Sequence, residues 1–329
     1  MKILVTGGSG FIGSALINKW ILSGFEIKVF DNGLRGQPRR LNNHKNIELI
    51  EGDVRDLSAL KDAAKGCDAI AHLAYINGTE FFYEKPDLVL EIALKGIINT
   101  IEAAIHNSVP QFWLMSSGEV YQSPKIIPTN EEVSLIVPDP LNPRYSYGGG
   151  KIISELYAIN FGRRYFDKVS IVRPHNVYGP DMGWEHVIPQ FAVKMSEQYK
   201  SESNIDVPFK ILGDGNQTRA FCYIDDFVNG ADICFRKGKS LEIYHVGNDK
   251  EIKIIDLAKE VGNFYGKKLN IIPSKSPIGE TLRRCPDISK AKFLGYEPNI
   301  TLSEGLSKTL EWYKNNIMLQ RTNKLNSDY

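Results

Sequence analysis

Cysteine is scarce in this chain. Four occur in 329 residues, Cys67, Cys222, Cys234 and Cys285. None sits at a C-x-x-C spacing, so the sequence offers neither a thiolate zinc site nor a disulfide framework, and the four read as reduced core thiols. An excess of one charge is lacking too. Lys and Arg number 40 against 39 Asp and Glu, a formal net charge of +1, which supplies no field for a polyanion and argues against nucleic acid as a partner. No apolar run is long enough to span a bilayer, and no apolar leader precedes the first structural element. A cytoplasmic protein without membrane contact is the expectation. The six histidines form no cluster with carboxylates at metal-ligand spacing, so no metal is expected. Internal repeats and low-complexity segments are also absent.

What is present is an ordinary globular composition, 42% hydrophobic and 24% charged, in a chain long enough for two lobes or one large α/β domain. Apolar runs of strand length at Ile3–Thr6, Ile27–Phe30, Ile47–Ile50, Ala69–Leu73, Gln111–Met115 and Val169–Val172 alternate with helical periodicity at Phe11–Leu22, Leu57–Ala64, Leu88–Ile105 and Tyr145–Tyr165. Such alternation predicts βαβ units and a parallel sheet covered on both faces. After Arg173-Pro174 the elements shorten and mix. Loops are expected around Tyr178–Glu185 and Ser201–Pro208, helices at Asp225–Arg236, Ile254–Tyr265, Ile288–Leu294 and Ser303–Trp312, and strands at Phe209–Leu212 and Ile243–Val246. The tail after Trp312 is expected to fray. We therefore divide the chain at 174/175, with some later segments returning to the sheet.

The first strand runs into Thr6-Gly7-Gly8-Ser9-Gly10-Phe11-Ile12-Gly13. Gly7 permits the tight turn, Gly10 removes a Cβ that would hold a pyrophosphate off the backbone, and Gly13 lets the helix pack on the sheet. Phe11 and Ile12 open the helix whose free N–H groups would take the diphosphate. Asp31, at the end of the second strand and about 20 residues on, is placed for an adenosine ribose, with Asn32 beside it. Its carboxylate disfavours a 2′-phosphate and so favours NAD, although Arg35, Arg39 and Arg40 argue the reverse. Asp53-Val54, after the third strand, can bracket the adenine, or Asp53 can serve as a helix N-cap. The predicted class is α/β: a Rossmann-type doubly wound parallel sheet for residues 1–174 with a smaller mixed α/β C-terminal substrate lobe at 175–329.

A second constellation is Tyr147-Gly148-Gly149-Gly150-Lys151. Residues four apart share a helix face, so phenol and ammonium point the same way. A neighbouring cation favours tyrosinate and lowers the Tyr147 pKa, which suits a base for a sugar or alcohol hydroxyl. Three glycines in a helix cost about 1 kcal/mol each relative to Ala, which implies a close approach of backbone, cofactor or substrate.

These features, with Gly52-Asp53-Val54, His72-Leu73-Ala74, Ser116-Ser117-Gly118-Glu119-Val120-Tyr121, Arg173-Pro174-His175-Asn176-Val177-Tyr178-Gly179-Pro180, Gly213-Asp214-Gly215 followed by Arg219, Tyr223-Ile224-Asp225-Asp226 and Arg283-Arg284-Cys285-Pro286, run in the order seen in an extended short-chain dehydrogenase/reductase. The chain resembles the NAD-dependent nucleotide-sugar epimerase/dehydratase family over nearly its whole length. The resemblance implies tightly held NAD, a nucleotide-diphosphate-sugar substrate, oxidation at C4 and a homodimer formed through the helices at Leu88–Ile105 and Tyr145–Tyr165. By residue, it implies Tyr147, Lys151, Ser117 and Glu119 as catalytic groups. Gly7, Gly10, Phe11, Ile12, Gly13, Asp31, Asn32, Asp53, Val54, Leu73, Tyr147, Lys151 and Pro174 would meet the cofactor. Ser117, Asn176, His186, Arg219 and Arg284 would meet the substrate.

The reaction after C4 oxidation is less determined. Sugar 4,6-dehydratases resemble Thr-Asp-Glu where this chain has Ser117-Gly118-Glu119, so the acid for a departing C6 hydroxyl is missing at Gly118. Uronate decarboxylases resemble Thr-Ser-Glu with a downstream Arg, which Glu119 and Arg284 match. Simple 4-epimerases usually carry no Glu there, and net C4 dehydrogenation is a further alternative. A non-catalytic NAD-sensing protein is the remote one, since the chain keeps both the Tyr/Lys pair and the substrate-side arginines. Ala93 stands where the family often has Asn. His175 reads as a core histidine satisfied by backbone or as a second acid/base, and Trp184, Glu185 and His186 fall in a loop expected to cover the sugar.

Overall fold

The computed structural model describes residues 1–198, 206–276, 279 and 281–320. The first half reads β1 (Lys2–Thr6), α1 (Phe11–Leu22), β2 (Glu26–Asp31), β3 (Ile47–Glu51), α2 (Leu57–Ala63), β4 (Ala69–His72), α3 (Thr79–Glu84), α4 (Pro86–His106), β5 (Gln111–Met115), α5 (Ser146–Tyr165) and β6 (Lys168–Pro174). The second reads β7 (Val177–Tyr178), α6 (Val187–Gln198), β8 (Asp206–Leu212), β9 (Thr218–Ala220), β10 (Cys222–Tyr223), α7 (Ile224–Lys237), β11 (Glu242–Val246), β12 (Glu251–Lys253), α8 (Ile254–Phe264), β13 (Lys268–Ser274), β14 (Arg283–Arg284), α9 (Ser289–Phe293) and α10 (Leu302–Asn315). No helix among the described residues is long and apolar enough to cross a membrane.

Seven parallel strands form the main sheet in the order β11-β6-β5-β4-β1-β2-β3. The apolar runs explain the centre: Ile3, Leu4 and Val5 on β1 and Ile70 and Ala71 on β4 are fully buried, as strands covered on both faces must be. Strand order reverses between β1 and β4, and in sheets of this kind a crevice opens beyond the carboxyl ends at that point. The connections from β1, β4, β5 and β6 all emerge there.

The sheet is not built from one contiguous stretch. β11 joins it beside β6, pairing Ile243 with Ile171, and α7 packs on α1, where the Trp20 indole donates to Asp232 at 2.9 Å and stacks near Phe235. Around it stand three small sheets, β7–β10, β12–β9–β14 and β8–β13. One apolar core runs unbroken from Ile3, Leu16 and Trp20 to Phe209, Leu257 and Leu310.

Some local expectations fail for physical reasons. Asp206–Pro208 is strand, not loop, and it pairs with β13 at Lys268–Asn270, a strand the sequence did not suggest. Both strands carry a proline, Pro208 and Pro273, which a two-stranded ribbon tolerates because its outer edges need no ladder donor. The rest of the expected Ser201–Pro208 loop lies outside the described residues, as does 321–329 of the tail. The helix α6 was also unforeseen, with Pro189 inside its first turn, where the missing N–H costs nothing.

Candidate active site

A cleft of about 380 Å³ runs along the carboxyl ends of β1, β2, β4, β5 and β6. Among the residues the sequence singled out, Gly7, Gly10, Phe11, Ile12, Gly13, Asp31, Asn32, Asp53, Val54, Leu73, Pro174, Ser117, Glu119, Tyr147, Lys151, Asn176, His186 and Arg284 all line it. Arg219 does not. It sits on β9, where its Nη1 donates to the Thr218 carbonyl at 2.8 Å.

The glycine turn is shaped by contact. Gly7 holds φ +69°, and a Cβ there would stand 2.7 Å from the Ala74 backbone; at Gly13 it would stand 2.5 Å from the Gly7 carbonyl. The helix α1 begins at Gly10 with no side-chain cap and no acidic residue in its first turn, so its positive end and free N–H groups face the cleft. The Ser9 hydroxyl is buried there without a partner. A cradle of bare amides that side chains would fill, with an unmatched donor beside it, fits a dinucleotide diphosphate.

Beyond the turn, Asp31 accepts the Ser9 N–H at 3.0 Å and the Gly33 N–H at 2.9 Å. Asp53 is not a helix N-cap; Asp56 caps α2 by accepting from the Ala59 N–H. Asp53 is instead held by Arg55 and Asn32, and the Arg55 hydrogen bond takes its pKa down to about 2 against a smaller opposing effect of burial. The three arginines that argued for a 2′-phosphate are engaged by carboxylates of the 181–186 segment: Arg35 with Glu185, and Arg39 and Arg40 with Asp181. Of the loop expected to cover the sugar, Met182, Gly183 and His186 line the cleft, and the Trp184 ring packs on Tyr313 and Trp312.

At the floor, α5 brings Tyr147 and Lys151 to one face. Tyr147 lines the cleft together with Ser117, and its ring is packed between those of Phe82 and Tyr75. Lys151, 2% exposed, donates to the Met115 carbonyl at 2.7 Å and lies 3.8 Å from the Tyr75 ring centroid. Burial pushes Tyr147 above its ordinary range, against a smaller lowering effect of Ser117, and the Glu119 charge adds to the rise. Burial likewise brings Lys151 down to about 7, opposed by Glu155. The glycines between them make room for protein: a Cβ at Gly150 would strike Tyr75 and stand 2.7 Å from Ala93, and one at Gly148 would strike Gln122, whereas one at Gly149 would meet Val137 at an ordinary 3.5 Å. Ala93 is small because α4 and α5 touch there.

Glu119 and Arg284, 165 residues apart, form a bidentate ion pair on the floor of the cleft. Burial raises the Glu119 pKa, but Arg284, with help from Arg144 and Arg219, outweighs it and holds the carboxyl below its ordinary range. Arg144 was missed by the sequence reading, although its place three residues before Tyr147 offered a signal. Asn176 adopts φ +42°, a conformation Asn tolerates, and donates to the Ala220 carbonyl at 3.3 Å. His175 is buried, as a core histidine would be, yet not satisfied: neither ring nitrogen has a hydrogen-bond partner. Its ring fills the space a side chain at Gly118 would take. Burial, then His245, Arg284 and Arg173, hold it neutral by pushing its pKa far down.

Beneath the floor lies a group the sequence also concealed. Glu155, one turn beyond Lys151 on the same face, takes two hydrogen bonds from Arg173 at 2.8 and 2.6 Å and one from Ser116. Arg173 in turn reaches Tyr121, whose hydroxyl meets His245 at 2.7 Å. The i+4 spacing from Lys151 was the available signal for Glu155; nothing local announced Arg173 as its partner.

The family model for the NAD dependent epimerase/dehydratase family matches residues 3–247. A putative UDP-glucose 4-epimerase of Methanocaldococcus jannaschii is 32% identical over 316 residues, 95% of this chain and 99% of that protein. UDP-glucuronic acid decarboxylase 1 of Xenopus tropicalis is 30% identical over 98% of this chain and 74% of its own length. Among solved structures, UDP-glucose 4-epimerase from Thermotoga maritima with UDP-glucose superposes with a TM-score of 0.85 at 29% identity, covering 96% of this chain and all of that one. A dTDP-glucose 4,6-dehydratase double mutant from Streptomyces venezuelae with NAD bound gives 0.86 at 26%, covering 98% and 100%.

Proposed function

The chain belongs to the NAD dependent epimerase/dehydratase family and is an NAD-dependent enzyme of the nucleotide-sugar type, and on that premise we propose that it oxidises C4 of a nucleotide-diphosphate sugar to a 4-keto sugar, with Tyr147 as base. The observation that carries this reading is the meeting of Ser117, Tyr147 and Lys151 in the same cleft as the glycine turn. Ser117 orients the sugar hydroxyl, and Tyr147 takes its proton. Bound NAD⁺ supplies the two-electron acceptor and a positive charge that favours tyrosinate. Lys151 anchors to the strand end through Met115 and faces the same space.

Gly7, Gly10, Phe11, Ile12 and Gly13 hold the dinucleotide diphosphate in this reading. Asp31 and Asn32 take the adenosine ribose, Asp53 and Val54 the adenine, and Leu73, Pro174, Tyr147 and Lys151 the nicotinamide half. Asn176, His186 and Arg284 meet the substrate, and Arg219 acts on the site by its charge from outside the cleft wall. Residues 1–174 with α7 and β11 form the cofactor half, and the remainder the sugar-nucleotide lobe. We assign a homodimer formed through the outer faces of α4 and α5, where Ile153 and Leu156 are exposed, and a cytoplasmic location that suits four free cysteines. Light scattering that shows a monomer at working concentration would refute the dimer.

A second reading is favoured by the Glu119–Arg284 pair. A guanidinium beside the reacting carbon can hold a sugar carboxylate. Once C4 is a ketone, a C6 carboxylate is a β-keto acid, which loses carbon dioxide and leaves its electron pair on the enolate. Incubation with a panel of nucleotide sugars and weighing of the products separates the outcomes. Loss of water, of carbon dioxide or of two hydrogens, or unchanged mass with altered stereochemistry, each selects one reaction. No change in any sugar and no reduction of bound NAD would overturn C4 oxidation itself.

A further inference from the structure

Two segments from opposite halves of the chain meet at one end of the cleft. Residues 32–40 follow β2 and residues 181–186 follow β7. Arg39 donates from Nη1 and Nη2 to Asp181 at 2.6 and 2.8 Å. Arg40 donates to the same carboxylate from Nε and Nη2 at 2.9 and 3.1 Å, and Arg35 donates from Nη2 to Glu185 at 2.9 Å. Arg35 and Arg40 line the cleft that Asp31 lines.

The contact is built rather than incidental. Asp181 holds φ +60°, which a non-glycine residue adopts only where its surroundings impose it, and its side chain is 14% exposed. Gly183 leaves room for the Arg35–Glu185 pair, since a Cβ there would stand 2.7 Å from both charged atoms. The Arg35 guanidinium also lies over the Phe81 ring at 5.2 Å.

We propose that Asp181 and Glu185, which come from the sugar-nucleotide half, decide which dinucleotide the other half accepts: by engaging the three arginines beside Asp31 they withhold the cations a 2′-phosphate would need, and so select NAD over NADP. This rests on the dinucleotide reading of the cleft. The argument is one of charge. An adenosine 2′-phosphate is bound by arginine donors close to the end of the second strand, and arginines stand there in this chain. Two carboxylates offset two of the three guanidinium charges, and Arg39 and Arg40 each already spend two donors on Asp181 and Arg35 one on Glu185. Removal of the carboxylates returns the cations to the cleft without touching Asp31 or the glycine turn.

The test is competition for the intact protein. Wild type, Asp181→Asn, Glu185→Gln and the double variant are incubated with equal excess NAD and NADP, desalted and denatured, and the released dinucleotides are quantified. The wild type is expected to retain NAD. The double variant is expected to shift the NADP-to-NAD ratio towards NADP by about tenfold, the effect of one charge-assisted contact, and each single variant by less. Adding Arg39→Ala and Arg40→Ala to the Asp181→Asn chain should cancel its share of the shift. An unchanged ratio in folded single and double variants, or a shift that survives loss of the arginines, overturns the proposal. Should the double variant fail to fold, the single variants carry the same test. Retention of neither dinucleotide by wild type would instead sink the cofactor reading.

Discussion

The rim of the cleft and its floor use the same residue type in opposite ways. At the rim, Arg35, Arg39 and Arg40 are matched to carboxylates across the two halves of the chain, in part-buried ion pairs whose side chains are 11–45% exposed. On the floor, Arg284 and Arg144 each leave a buried Nε without a partner, as His175 leaves both ring nitrogens, and Glu119 faces Arg284, Arg144 and Arg219 together. Buried polar atoms are normally satisfied, because an unmatched one costs about 1–3 kcal/mol. The difference separates a surface that binds protein to protein from one whose polar groups are arranged for a ligand. Below the floor, the Glu155–Arg173 pair, 2% exposed on both sides, ties α5 to β6 and, through Ser116, to the end of β5.

The largest expected effect is on the floor. Tyr147→Phe should lower turnover by about 10²–10⁴-fold while bound NAD is retained. Absorbance of the reduced nicotinamide after substrate addition checks this, and near-normal turnover would erase the chemical distinction between floor and rim.

Stability offers the next contrast. Arg173→Leu or Glu155→Leu strands a buried charge and should cost about 3–5 kcal/mol, whereas replacing both by apolar residues should cost less than either alone. Glu185→Gln at the rim should cost no more than about 1 kcal/mol. Urea unfolding of the five proteins measures all three. Equal losses at Glu155 and Glu185 would break the comparison.

Lys151 supplies a pH signature confined to the floor. Its pKa falls from 10.5 unfolded to about 7 folded, so between those values the unfolded chain binds more protons, and rising pH favours the folded state. The penalty for burying this amine is full below about 7 and is relieved as pH climbs towards the unfolded value. The stability of wild type relative to Lys151→Met should therefore rise across that window in the cofactor-free protein. A flat difference in unfolding midpoints would show that the amine titrates normally.

The smallest effect tests the glycine run of α5. Gly149→Ala meets only an ordinary contact and should stabilise by about 0.5–1 kcal/mol. Gly150→Ala drives a methyl into Tyr75 and Ala93 and should destabilise and disturb Tyr147. Calorimetric melting of the two variants gives opposite signs if the floor is close-packed and the same sign if it is not.

The parts legible from the chain were those in which a local pattern carries the chemistry. A strand, a glycine turn and a helix start follow one another between Lys2 and Leu22, and helix pitch alone aligns Tyr147 with Lys151. Apart from the short α3 (Thr79–Glu84), strand and helix positions in the first half were readable because their apolar periodicity reports burial directly. In the second half β13 and α6 hid behind prolines, and Arg144 and Glu155 lay within reach of the same helix arithmetic but were passed over. The identity of glycine at 148 and 150 signalled a close approach without saying what approaches, and it is Gln122 and Tyr75.

The amino-acid sequence by itself determined the fold class, the glycine turn and the helix that aligns Tyr147 with Lys151, because each is encoded in residues a few positions apart. Only the tertiary structure decided which charges meet. Asp181 finds Arg39 across 142 residues and Glu119 finds Arg284 across 165. His175 turns into the volume that Gly118 leaves empty, and Arg173 reaches Glu155 from the neighbouring strand. Coulomb and hydrogen-bond energies depend on distance in space and on local burial, and neither is set until the sheet order has placed distant segments side by side.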